Sequence, residues 1–197
     1  MVSPAWLQQE RRKAAQWAHD LLRGEFVIYD SETTGIGYDD ELVQVGAIDQ
    51  AGRVLFDSLV KPTRPITLKA SVIHGLTAEH VAAAPGFPDV YPRLASVLKG
   101  QRVVAYNAEF DSRLLQQACW QYDRPIIETP RWQCAMERYA QYHGQWNRSR
   151  RSFTWLSLTA ACVKERIKVS GAHSAVGDCL LTLRLIQRMA ASLDSTP

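Results

Sequence analysis

Long apolar runs are missing. Nowhere in the 197 residues do about 18 apolar side chains follow one another, so no segment reads as a membrane span. Close cysteine pairs are missing too: Cys119, Cys134, Cys162 and Cys179 have no C-x-x-C spacing, which argues against a zinc knuckle or a redox pair. Most of them sit in apolar helical patterns and are expected to be buried thiols acting as small hydrophobes. A charged-then-apolar leader is absent, because Glu10-Arg11-Arg12-Lys13 would interrupt any signal core, and the chain reads as cytoplasmic. Repeats and low-complexity tracts are lacking as well. The length suits one domain able to bury a proper core.

Charge of one sign is in no large excess. Lys and Arg number 23 against 20 Asp and Glu, a net +3 that points weakly towards nucleic acid. Hydrophobic content of 46% and charged content of 22% are ordinary for a globular chain. The local distribution is uneven. Five arginines (131, 138, 148, 150 and 151) face only Glu137 between Arg131 and Arg151, with Trp132, Tyr139, Tyr142, His143 and Trp146 interleaved. Arginine among aromatics suits single-stranded nucleic acid, where bases stack and phosphates need neutralising. The plain alternative is a solvated loop whose aromatics pack at its base. Trp146, Arg148, Arg150 and Arg151, in the stretch 145–152, are the candidate contacts.

Periodicity gives an α/β chain. Ser3 as N-cap and Pro4 in the first turn open an amphipathic helix to about Arg23, where Gly24 stops it. Trp6, Trp17, Leu21 and Leu22 are expected on one side of it. Such a helix either packs on the back of the domain or docks a partner protein. Residues 1–24 are read as a helical extension and 25–197 as the domain proper. Strands are expected near 26–31, 42–49 and 53–60, the last two paired antiparallel. Helical segments follow near 69–73, 77–83 and 87–98, broken by Pro85 and Pro88. A strand near 102–106, a helix near 108–122, a short strand near 131–134 and three further helices complete a mixed sheet flanked by helices.

Three segments carry chemistry. Phe26-Val27-Ile28-Tyr29 is an apolar strand that ends in Asp30-Ser31-Glu32-Thr33-Thr34-Gly35. Side chains at i and i+2 of a strand share a face, so Asp30 and Glu32 converge. Two hard-oxygen ligands on rigid backbone suit Mg²⁺ or Mn²⁺. Val103-Val104-Ala105-Tyr106 leads into Asn107-Ala108-Glu109-Phe110-Asp111, with Asn107 a candidate N-cap and Asp111 about one turn inside the helix. His173-Ser174-Ala175-Val176-Gly177-Asp178 opens the last helix, whose leucines recur at helical spacing to about Ser192.

These residues resemble the DEDDh 3′→5′ exonuclease superfamily of the DnaQ-like, proofreading-subunit type. Its D-x-E-T-T/S-G motif matches Asp30 to Gly35, its H-N-A-x-F-D motif matches from Tyr106 to Asp111 with tyrosine in the first place, and its H-x-A-x-x-D motif matches His173 to Asp178. The order is the family's, and Ile73-His74-Gly75-Leu76-Thr77 looks like its segment between the first two motifs. Residues 25–197 are thereby read as a single exonuclease domain of ribonuclease H-like fold.

The resemblance implies two divalent metal ions, with Asp30 bridging both. It makes Glu32 and Asp178 ligands on the nucleophile side, places Asp111 at the second ion, commonly through water, and gives His173 the role of general base. Around the terminal nucleotide it sets Thr33, Thr34, Gly35, Ile36, Ile73, His74, Asn107 and Phe110. Tyr106, standing where histidine is usual, would offer that nucleotide a stacking face and a hydroxyl. The expected reaction removes nucleoside 5′-monophosphates from a 3′ end of DNA, single-stranded or frayed. Three alternatives stay open: an exoribonuclease on short RNA, a polymerase-associated proofreading or assembly subunit using the N-terminal helix, and a hydrolase of free nucleotides.

Overall fold

A computed structural model describes residues 2–194, the last of these by its backbone alone. Helix α1 (Pro4–Leu22) starts where Ser3 accepts the Trp6 N–H, at 3.1 Å. It is followed by β1 (Val27–Thr33), β2 (Leu42–Asp49) and β3 (Val54–Leu59), an antiparallel meander. Short helices α2 (Leu68–His74) and α3 (Ala78–Val81) precede α4 (Phe87–Leu98). Pro88 does not break α4; it lies in its first turn, where no N–H is needed. Then come β4 (Val103–Ala105), α5 (Ala108–Gln121), β5 (Trp132–Cys134) and α6 (Ala135–His143). A two-residue hairpin, β6 (Trp146–Asn147) with β7 (Ser152–Phe153), leads to α7 (Leu158–Lys164) and α8 (Ala175–Asp194). The stretch 145–152 is therefore mostly hairpin and not plain loop.

The main sheet has the order β3-β2-β1-β4-β5, antiparallel on the β2 side of β1 and parallel on the β4 side. β1 is covered on both faces, which is why its sequence is a continuous apolar run. Ile28 packs into one cluster with Ala14, Ala18, Leu185 and Met189. Val27 and Tyr29 pack into the other with Leu94, Leu98, Leu114 and Ala118. The inner face of α1 is Ala14, Ala15, Ala18 and Leu21, not the expected Trp6, Trp17 and Leu22, which are only partly buried. Alanines let α1 lie close against α8.

Register decides where the site forms. β1 pairs with β4 only at Val27 and Ile28, yet with β2 as far as Thr33. Its last residues run past the end of β4, where the chain turns away at Asn107 into α5. That leaves a crevice at the carboxyl ends of the parallel strands, the usual place for a ligand in such sheets. Among the described residues no helix is long and apolar enough to cross a membrane.

Candidate active site

Asp30 and Glu32 share the face of Ile28, towards α8, while Ser31 shares the face of Tyr29, towards α5. Carboxylate oxygens of Asp30, Glu32 and Asp178 lie within 4.8 Å of one another. Asp111 arrives from the opposite face and is outside that group. Ser31 holds it there, its Oγ donating to Asp111 Oδ1 at 2.8 Å.

A glycine makes the third carboxylate reach the sheet. Gly46 of β2 pairs with Asp30, and a Cβ at position 46 would come within 2.7 Å of the Ala175 carbonyl carbon and the Val176 nitrogen. The first turn of α8 thus rests on bare backbone, and Gln44 accepts the Ala175 N–H at 3.2 Å. Ala175 is fully buried in that contact, so a small residue is required three before Asp178. The preceding loop is equally tight, for Gly177 lies against the Gly171 carbonyl. His173, at φ +67°, donates its backbone N–H to Asp178 Oδ1 at 3.2 Å. Its imidazole is exposed beside Asp178 and His74.

Burial raises all four carboxyls, and repulsion from neighbouring carboxylates adds to it at Asp30, Glu32 and Asp111. Asp30 is held well above the usual carboxylate range by desolvation, then by the charges of Asp111, Asp178 and Glu32. Glu32 is pushed up to about 7 by burial and by Asp178. Asp111 rises through burial, partly offset by the Ser31 hydrogen bond. Asp178 rises through burial, with the His173 N–H and imidazole working against it. Among the described residues none of the four is ion-paired with lysine or arginine.

Glu41 shows what a satisfied buried carboxylate looks like in this molecule. It accepts from the Thr63 N–H and Oγ1, Gln121 Nε2 and Tyr122 Oη at 2.6–3.1 Å. Burial pushes it up, but those bonds carry it below the ordinary range. The site carboxylates have fewer donors: among the described residues Ser31 serves Asp111 and the His173 N–H serves Asp178. Four crowded carboxylate side chains without a counter-charge are the donor set that a hard divalent cation fits.

A cleft of about 430 Å³ opens beside the carboxylates, lined by Glu32, Thr33, Gly35, Ile36, Ile73, His74 and Phe110 among others. Ile36 and Ile73 are exposed at 74% and 53%, apolar groups with nothing of the protein over them. His74 donates from Nε2 to the Thr33 carbonyl at 3.1 Å and accepts the Leu76 N–H on Nδ1 at 3.0 Å. Both ring nitrogens are occupied, and burial holds the ring neutral.

Several expected pocket residues stand elsewhere. Thr34 is buried, its hydroxyl donating to Asp40 and accepting the Glu41 N–H, so it secures the turn after β1. Tyr106 is in the core, its hydroxyl donating to the Leu156 carbonyl at 2.7 Å, and not against the cleft. Asn107 sits at the start of α5 but makes no side-chain cap bond. The Trp146 ring packs edge-on against Trp6 and Phe153, while Arg148, Arg150 and Arg151 are exposed at the hairpin tip. Residues not anticipated also line the cleft: Asp40, Thr67, Lys69 and Ala70. Arg113 braces it from outside, donating to the Ile36 and Gly37 carbonyls.

The exonuclease family model RNase_T matches residues 27–186, a span that contains all four carboxylates and His173. The chain belongs to this exonuclease family. The exonuclease is 37% identical over 185 residues to a protein of Escherichia phage 186 named uncharacterized exonuclease CP81, covering 91% of this chain and 93% of that one. It is 31% identical over 182 residues to a DNA polymerase III subunit epsilon-like protein of Rhodobacter capsulatus, but spans 24% of that longer protein. Among solved structures it resembles exonuclease X in complex with 5′ overhanging duplex DNA, with a TM-score of 0.61 and 27% identity over 85% of this chain and 92% of that one. The mixed five-stranded sheet flanked by helices is the ribonuclease H-like exonuclease fold. The exonuclease is thus a hydrolase of the DnaQ-like superfamily.

Proposed function

We propose that the exonuclease removes nucleotides from the 3′ end of DNA, at single strands or frayed ends, releasing nucleoside 5′-monophosphates. The observation that carries this reading is the convergence of Asp30, Glu32 and Asp178 within 4.8 Å, with Asp111 reaching the same sheet end from the other face. Asp30, Glu32 and Asp178 would hold one divalent cation, and Asp30 with Asp111 a second, Mg²⁺ or Mn²⁺. When bound, such ions neutralise the phosphate and stabilise charge on the attacking and leaving oxygens.

The chain's own residues supply the rest. His173 takes the proton of the attacking water as its oxygen bonds to phosphorus and the bond to the departing 3′-oxygen breaks. His74 serves as a wall and not a base, because both its nitrogens are spent. Ile36, Ile73 and Phe110 pack the terminal base and sugar, while Thr33 and Gly35 approach the sugar and phosphate. A polymerase-associated role is a second reading, motivated by the epsilon-like relative. It would use the outer face of α1, whose inner face is committed to α8.

The test uses matched 3′- and 5′-end-labelled oligomers of DNA and RNA, single-stranded, blunt and with 5′ overhangs, in Mg²⁺, Mn²⁺ or chelator. A ladder shortening from the 3′ end, faster on DNA and abolished by chelator, is expected. Internal cleavage, or release from the 5′ end, would refute the reading.

A further inference from the structure

Tyr106 has a task that its usual counterpart could not perform in the same way. Its hydroxyl tethers the Leu156 carbonyl, and the residue just before it, Trp155, is left 58% exposed. Trp155 stands on the wall of a groove of about 420 Å³ with Trp146, Phe153, Arg138, Gln141 and Arg151. Tyr106 also accepts the Met136 N–H at 2.8 Å, so the first turn of α6 and the Trp155 segment are fastened to one residue. That residue immediately precedes Asn107 and the helix that carries Asp111. One residue thus ties the groove's Trp155 segment to the start of the helix that bears a site carboxylate.

Its composition names its occupant. The floor is aromatic and rigid: Trp6 stacks on Phe153 with ring centroids 5.6 Å apart, and Trp146 closes edge-on against both. The rim is basic, with Arg138 and Arg151 in the groove and Arg148 and Arg150 at the neighbouring hairpin tip, against Glu137 alone. Asn147 organises that tip, its Oδ1 accepting the Ser149 hydroxyl and the Arg150 N–H. Arg151 is kept at φ +51°, a conformation unfavourable for any residue but glycine. Arg138 donates to Gln141 at 3.2 Å and lies over the Trp17 ring, and among the described residues it has no acidic partner. A large exposed ring beside guanidinium groups free of carboxylates suits a strand that offers base faces and phosphates together. A duplex, whose bases are stacked inside, cannot use Trp155.

We propose that this groove binds the unpaired strand upstream of the 3′ end, with a base stacked on Trp155 and its phosphates on Arg138 and Arg151. The proposal rests on the 3′-exonuclease reading above and adds where the rest of the strand runs.

Two substrates separate the two ideas: a single-stranded DNA dodecamer, and the p-nitrophenyl ester of thymidine 5′-monophosphate, which is too small to leave the crevice. For Trp155→Ala the KM for the dodecamer, divided by that for the ester, is expected to rise roughly tenfold, a base-stacking contribution. Trp155→Phe should restore most of the ratio. Arg151→Ala should flatten the dependence of log KM on log salt by about 0.7 per lost phosphate contact. An unchanged ratio in Trp155→Ala, or a proportional loss on both substrates, would overturn the groove. Anisotropy of a labelled dodecamer in chelator reads binding without turnover. Weakening there by Trp155→Ala supports the groove even if the wild-type chain cleaves neither substrate, a result that would sink the exonuclease reading alone; equal anisotropy in both would dismiss the groove.

Discussion

Two histidines flank the cleft, and their hydrogen bonds assign them different work. His74 has Nε2–H on the Thr33 carbonyl and Nδ1 beneath the Leu76 N–H, which fixes one neutral tautomer. Among the described residues His173 makes only a backbone bond, to Asp178, and it is exposed, so water reaches its ring. His173→Ala is expected to lower kcat by about 10²–10⁴-fold with KM within about twofold, the range for loss of a general base. Steady-state kinetics on a labelled oligomer check it, and an unchanged kcat would remove the role. The shared face of Asp30 and Glu32 was legible in sequence because parity along a strand fixes which side chains point the same way. Thr34 and Tyr106 turn away from the cleft for one physical reason. Their partners, Asp40 in the following turn and Leu156 fifty residues away, decide which way each side chain turns, and no local pattern announces them.

At the scale of elements, the site depends on how closely α8 approaches β2. Helix α8 touches the sheet where β2 presents Gly46 opposite Asp30, and the contact allows no side chain there. Gly46→Ala is expected to push the start of α8 outward, costing about 1–3 kcal/mol through overpacking. The displacement carries Asp178 away from Asp30 and Glu32, so kcat should fall by more than about tenfold while far-UV circular dichroism stays native. Normal turnover in this variant would show that the α8 contact does not set the carboxylate geometry. Most elements were legible because their apolar periods are long enough to count. The β6–β7 hairpin was not, since two-residue strands have no period. The face of α1 was misread because close helix packing favours alanine over tryptophan at the point of contact, and Trp17 instead donates to Gln133 at the edge.

For the whole molecule, gathering four acids at one sheet end should appear in stability as well as in catalysis. A carboxyl raised on folding keeps a proton that the unfolded chain has already released. Unfolding then releases protons, and stability falls as pH climbs from the unfolded value near 4.3 through the folded one. For Glu32 that window ends at about 7. A shift of this size is worth on the order of 3 kcal/mol, lost by neutral pH unless a cation takes the proton's place. Glu41 works in the opposite sense. Its pKa is lowered on folding, so its contribution is full above the unfolded value and disappears as pH falls through the folded one. In chelator the melting temperature should therefore peak in mildly acidic solution, falling towards pH 8 because of the site and in strong acid as Glu41 protonates. Adding Mg²⁺ at pH 8 should recover the alkaline loss, since binding to the folded chain alone adds RT ln(1 + [Mg²⁺]/Kd). Asp30→Asn should melt higher than the parent in chelator at pH 8 and lose the Mg²⁺ response. Thermal scans from about pH 2 to 8, with and without Mg²⁺, decide it. A chelated parent that melts at the same temperature at pH 6 and pH 8 would mean the four carboxylates are not crowded in solution, and a shared cation site would then lose its physical basis.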